Sequence, residues 1–241
     1  MKRLLYLFLF LFLLQDIEFS QINKFPTLWK GFISFGYGNT TQGNFNQYYD
    51  LINDSYNSAG VPIFKQAEFG KTFVLNGGFL FTRLESIWFG LSLGYLYSPA
   101  FANYKDFTGT LKVKGFVSSY EIALKVKAEL FKIKDYSIFI SVQTGIAYAT
   151  ATIIEELEYL NYHQFNYNRN FSKYSWGPSL QSTLSSPVQF GDFTFFLEVG
   201  YRYAYNKATG ENLDKEIKRN FATLDWGQRG IIFLISLEKT F

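Results

Sequence analysis

Eight stretches of this chain alternate apolar and polar residues at period two, the spacing at which strand side chains point to opposite faces. They run from about 28–38, 70–83, 87–97, 112–131, 137–150, 173–185, 192–205 and 228–241. In the first, Trp29, Ile33, Phe35 and Tyr37 oppose Lys30, Ser34 and Gly36. In the fourth, Tyr120, Ile122, Leu124 and Val126 oppose Glu121, Lys125, Lys127 and Glu129. In the seventh, Phe195, Leu197, Val199, Tyr201 and Tyr203 oppose Thr194, Glu198, Gly200 and Arg202. One face of each strand is almost purely apolar. The other mixes Gly, Ser, Thr, Gln and charges of both signs.

The connections alternate as well. Those after the second, fourth and sixth strands are short, near 84–86, 132–136 and 186–191. Those after the first, third, fifth and seventh are long, near 39–69, 98–111, 151–172 and 206–227. An even strand count with sorted connections predicts an all-β fold, an eight-stranded antiparallel up-and-down transmembrane β-barrel with short periplasmic turns and long extracellular loops. A soluble ligand-binding barrel would hold its large apolar groups inside and its charges outside. A face carrying Glu121, Lys125, Lys127, Glu129, Glu198 and Arg202 is a poor lining for such a cavity. Ten strands stay open if the first long connection hides a hairpin. In that connection Phe45, Tyr48, Tyr49 and Ile52 recur at helical spacing, with Gly60 and Pro62 as breakers. A short amphipathic helix near Phe45–Tyr56 is expected, either as a cap on the barrel mouth or at the lipid interface, or as a receptor-like recognition element.

Composition agrees with a lipid-facing exterior. Aromatics are 21% of the chain, and charged residues 18% against the roughly 25% of soluble domains. Trp29, Tyr37, Tyr95, Trp176, Tyr201 and Tyr203 are candidates for the interfacial girdles. Cysteine is absent, which rules out disulfides, thiolate metal sites and an acylated-cysteine anchor. A net charge of +3 without a basic cluster argues against nucleic acid as a partner. Lys2 and Arg3 precede an apolar run, Leu4 to Leu14, of signal-peptide length and too short to span a bilayer as a helix. Residues 1–20 are therefore expected to be a cleaved signal peptide, cut at Ser20–Gln21, with 21–241 as one barrel.

The inward charges need partners, because an eight-stranded lumen is just wide enough for its own side chains. Glu198 and Arg202 are the expected pair in a network that fills the lumen; a narrow ion path is the competing reading. Catalysis has little to stand on. The chain has one histidine, His163, which excludes a histidine metal cluster; no serine lies beside it in sequence, and it is read as an exposed loop residue rather than as half of a Ser–His hydrolase pair. No catalytic residue, cofactor or metal is expected. Glu155, Glu156 and Glu158 would bind a divalent cation weakly at most; such a run is more often a solvated loop face.

The export signal, the eight aromatic-rich strands, the segment Leu197–Ala204 (LEVGYRYA) and Phe241 preceded by alternating apolar residues resemble bacterial outer-membrane β-barrel domain proteins, the small OmpA/OmpX-type barrels. The resemblance implies an outer-membrane location, a monomer, contact with outer-membrane lipid and lipopolysaccharide, and Phe241 as the signal for the outer-membrane insertion machinery, with Lys239 breaking its apolar parity. It implies a structural or surface-binding role through the long loops, the extracellular ligand unspecified. Some small barrels modify lipid, so a lipid-modifying enzyme is an alternative alongside a narrow pore.

Overall fold

The computed structural model describes residues 28–67, 69–84, 86–106, 108–133, 136–159, 166–209 and 223–241. The expected signal peptide, its cleavage site and His163 lie outside them. In chain order the elements are β1 (Leu28–Thr41), α1 (Phe45–Ser58), β2 (Phe64–Ala67), β3 (Lys71–Leu84), β4 (Ile87–Lys105), β5 (Gly109–Ile133), β6 (Tyr136–Tyr159), β7 (Tyr167–Phe190), β8 (Phe193–Ala204), β9 (Lys207–Thr209), β10 (Thr223–Asp225) and β11 (Arg229–Thr240). Eight of these strands form a closed antiparallel ring in the order β1, β3, β4, β5, β6, β7, β8, β11, with β11 pairing back on β1 from Lys30↔Thr240 to Thr41↔Arg229. The ring holds eight strands rather than ten. β2 pairs only with the upper end of β4 (Phe64↔Asn103), and β9 and β10 make a separate ribbon.

The register sets the dimensions. From Trp176 the paired residues run through Tyr148, Tyr120, Tyr95, Leu75, Phe35, Ile235 and Leu197, and return to β7 at Ser186. That is a stagger of ten residues, from 176 to 186, which tilts the strands by roughly 40°.

The outward side chains form a continuous apolar band. Leu93, Ile122 and Leu197 are more than 60% exposed, an arrangement that only a bilayer stabilises. Aromatic rows bound it above and below. Tyr95–Tyr120 (5.1 Å between ring centroids), Tyr148–Trp176 (4.9 Å) and Tyr37–Phe73 (5.8 Å) belong to the upper row, and Trp29–Phe81 (5.6 Å) to the lower. By register, Tyr201 and Tyr203 fall in the upper row with Tyr37, Tyr95 and Trp176. Trp29 stands at the opposite boundary.

Above the upper row the strands continue and their polarity inverts. On β5 the inward residues become Leu111, Val113 and Val117, all buried, while Lys112 and Lys114 point out. On β6 the inward residues become Ala149, Ala151 and Ile153, while Glu156 points out to Lys114 (3.0 Å). This corrects two of the expected long connections. Only 106–108 separates β4 from β5, and β6 and β7 extend to Tyr159 and Tyr167. The alternation persists there, but water has replaced lipid outside, so the apolar parity moves to the inner face.

Candidate functional site

Inside the membrane-spanning part, the inward charges stack in layers. Arg202 Nη2 lies 2.5 Å from Glu121 Oε2, with both side chains fully buried. The N–H is not aimed along that line, so the contact is coulombic more than a directed hydrogen bond. Gln143 Nε2 donates to the other Glu121 oxygen at 3.2 Å. Below, Glu198 accepts hydrogen bonds from Thr183 Oγ1 (2.7 Å) and from the Ser236 hydroxyl. Lowest, Lys127 pairs with Glu238, and Lys30 Nζ is 3.9 Å from the same carboxylate. The lysines also lie over aromatic faces that close the lower lumen: Lys125 on Phe32 (4.1 Å), Lys127 on Phe196 (3.1 Å) and Lys30 on Trp88 (3.8 Å).

The stack therefore holds Glu121, Lys125, Lys127, Glu198 and Arg202, but the partner of Arg202 is Glu121 and not Glu198. Four residues along one strand put Glu198 roughly 13 Å from Arg202, whereas the stagger brings Glu121 to the same height across the lumen. Glu129 stands apart. It is half-buried where the β5–β6 register slips, and accepts from Ser137 Oγ at 2.6 Å. Lys30 and Glu238 complete the stack. Their parity was visible in the sequence, but their strand-end positions gave no sign that they face a carboxylate and two lysines.

Above this stack α1 fills the barrel mouth. Phe45, Tyr48, Tyr49 and Asn53 share one helical face and are buried. Phe45, Tyr48 and Tyr49 pack into one core with Phe69, Leu111, Val113, Ile153, Phe171 and Trp226. Small residues on the facing strands make the room: a Cβ at Gly115 would lie 2.7 Å from the Phe69 ring and 3.0 Å from that of Tyr49. Tyr49 Oη donates to Val113 O (3.2 Å) and Trp226 Nε1 to Ala149 O (3.3 Å), so the polar ends of both rings are satisfied.

Both ends of α1 are pinned. At the start, Asn44 acts as a substitute strand partner for β10: its Nδ2 donates to Thr223 O (2.7 Å), and its Oδ1 accepts from Asp225 N (2.6 Å). Gly43 before it has φ +56, and a Cβ there would stand 2.6 Å from Asp225 O. At the far end the Tyr56 hydroxyl donates to Glu155 and touches the Tyr167 hydroxyl. Burial pushes the Tyr56 phenol far above its ordinary range, with the Glu155 bond adding to it; burial also raises Tyr167. Both stay protonated donors at neutral pH.

The three acidic residues do not converge. Glu155 faces inward to Tyr56, Glu156 faces outward to Lys114, and Glu158 is exposed on that outer side. The helix expected near Phe45–Tyr56 is present, and its place is inside the mouth.

A closed eight-stranded ring with an apolar exterior between two aromatic rows and a polar lumen defines a transmembrane β-barrel of the outer-membrane type. Among solved structures, the chain is similar to Ail, the attachment invasion locus protein of Yersinia pestis, in complex with the heparin analogue sucrose octasulfate (12% identity over 88% of this chain and 99% of that one, TM-score 0.41). It is also similar to Neisserial surface protein A (9%, 90% and 99%, TM-score 0.38) and to the outer membrane protein OprG from Pseudomonas aeruginosa (10%, 89% and 95%, TM-score 0.34). Neither a family model nor a curated protein matches the chain.

Proposed function

We propose that this protein is a non-conducting barrel of the bacterial outer membrane that works at its extracellular surface, in a structural or binding role. The observation that carries the reading is a double closure. α1 and its aromatic core occupy the mouth, and beneath them a stack of paired charges leaves Arg202, Glu121 and Ser92 without solvent contact. Above the bilayer, β4 to β7 continue as a paired sheet, and β7 presents Tyr167, Asn168, Asn170 and Tyr174 to solvent as the contact surface. The reading includes a monomer held by lipid and lipopolysaccharide. It also includes Phe241, whose N–H donates to Trp29 O at 2.8 Å on the β1–β11 seam, as the residue the insertion machinery reads. It includes no catalysis, since the one histidine has no serine beside it.

Planar-bilayer recording tests it. Purified protein is expected to give no steady conductance, and a steady, large conductance would overturn the closed-lumen reading. Release of fatty acid from lipid A by the same preparation would overturn the non-enzymatic part.

A further inference from the structure

At the rim of the mouth, oxygen atoms from three different elements meet. Tyr56 stands in the last turn of α1, its ring packed against the core of the mouth. Its hydroxyl donates to Glu155 Oε2 on β6 and touches the Tyr167 hydroxyl on β7. Glu155 and Tyr167 share the inward face of one paired ribbon, since Glu155 is opposite Arg169 and Leu157 is opposite Tyr167. Two of the three oxygens are thus set on sheet, and the third on a helix pinned at its other end by Asn44.

These two tyrosines meet differently from those of the wall. There Tyr95 and Tyr120 pack ring beside ring, 5.1 Å between centroids, as aromatic pairs commonly do. Tyr56 and Tyr167 meet oxygen to oxygen, with a carboxylate on the same atom. Oxygens brought to one point repel unless protons or a cation sit among them. The other Glu155 oxygen, Oε1, is turned to Arg169 Nη1 at 4.0 Å, which leaves Oε2 aimed at the phenols. Glu155 is 6% exposed and Tyr167 38%, so the cluster is walled on the carboxylate side and opens to the extracellular side past Tyr167.

We propose that Tyr56, Glu155 and Tyr167 form a binding site for ferric ion, which goes beyond the structural or binding role given above and staples the end of α1 to the β6–β7 sheet. All three donors are hard oxygens, which suit a hard, highly charged ion. On binding, the two phenol protons leave to water. Two phenolates and one carboxylate then bring three negative charges to an ion carrying three positive. Iron stays ferric throughout, so no electron is exchanged. Calcium takes carboxylates, carbonyls and water as ligands; displacing the protons of two phenols needs a stronger Lewis acid. The donors come from the helix and both strands, so the bound ion holds together what the Tyr56 hydrogen bond holds alone in its absence.

The test adds ferric nitrilotriacetate to the folded protein in detergent micelles. One equivalent of iron is expected to bring up a visible phenolate-to-iron charge-transfer band, and Tyr56→Phe and Tyr167→Phe should each lose most of it. Glu155→Gln should weaken binding by about a hundredfold, the upper end of what loss of a supporting partner costs at a metal site. Tyr174→Phe, exposed on the outer face of β7, should change nothing. Ferric ion should also slow protease cleavage between α1 and β3 in the wild type but not in Tyr167→Phe, which keeps the Tyr56–Glu155 bond. The strand signature in circular dichroism verifies folding of each variant. Absence of the band, a band that survives in both phenylalanine variants, or equal protection by calcium chloride would each overturn the site. Bilayer conductance is blind to this cluster, so failure here is distinguishable from failure of the closed-lumen reading.

Discussion

Arg202→Met removes the guanidinium from an ion pair that no water reaches. Among the described residues, the Glu121 carboxylate then keeps only the hydrogen bond from Gln143 at 3.2 Å. Stranding one member of a buried pair costs about 3–5 kcal/mol, a large share of the roughly 5–15 kcal/mol that holds a typical domain. The intact pair is itself poorly satisfied. Arg202 Nε and Nη1 meet no acceptor among the described residues, and Ser119 Oγ and Gln181 Oε1 nearby have no partner either. The pair therefore contributes little net stability, and replacing both members by apolar residues should be close to neutral. Glu121→Leu with Arg202→Met is expected within about 1 kcal/mol of the wild type, and each single variant about 3 kcal/mol below it. Equilibrium unfolding in urea, followed by tryptophan fluorescence in lipid vesicles, supplies the double-mutant cycle. Single variants that lose less than about 1 kcal/mol, or a double variant no better than the worse single, would refute the argument that Glu121 is the partner.

Three further outcomes are expected. Phe45→Ala empties a fully buried site in the α1 core and should cost about 3–5 kcal/mol, read as new protease cleavage between α1 and β3 while the membrane-spanning ring stays intact; unchanged protection would count against the plug. Gly43→Ala forces a side chain into a left-handed residue beside Asp225 and should loosen the same segment by about 1–2 kcal/mol, measured by the same cleavage. Asp106 accepts from Thr108 N and Thr108 Oγ1, from Gly109 N and from the Tyr104 hydroxyl, and the Thr108 and Tyr104 side-chain bonds hold its carboxyl at about 2, below the ordinary 3.8. Because that value is depressed, its support of the β4–β5 turn is complete above the ordinary value and is lost as pH falls through about 2. The amide shift of Thr108 should titrate near that point and lose the transition in Asp106→Asn; a midpoint near 4 would refute the bonding.

The lipid-facing parity was legible because a single solvent, hydrocarbon, lies outside every strand between the two aromatic rows. The extracellular sheet was not, because the outer solvent changes at Tyr120 and Tyr148. The apolar positions then switch from the even residues Tyr120, Ile122 and Leu124 to the odd residues Leu111, Val113 and Val117. A strand defined by one continuous apolar parity stops at that point. The helical period of Phe45, Tyr48, Tyr49 and Ile52 showed that α1 has an apolar face but not what covers it. A signal was present in the small residues Gly115, Ala149 and Ala151, which clear space for rings. The pairing of Arg202 was illegible for another reason. Height across the lumen depends on the summed stagger of all eight pairings, which no single strand encodes.

The Asn44 clip joins residues 179 positions apart, and Trp226, three residues before β11, enters the same core as α1. The helix lies between the first two strands of the ring, yet the pieces that seat it immediately precede the last. Until β11 zips onto β1, neither the clip nor the tryptophan is in place to hold it. Sealing of the wall and corking of the mouth are thus one event in the protein's assembly, and a ring caught before that seam closes is also an uncorked one.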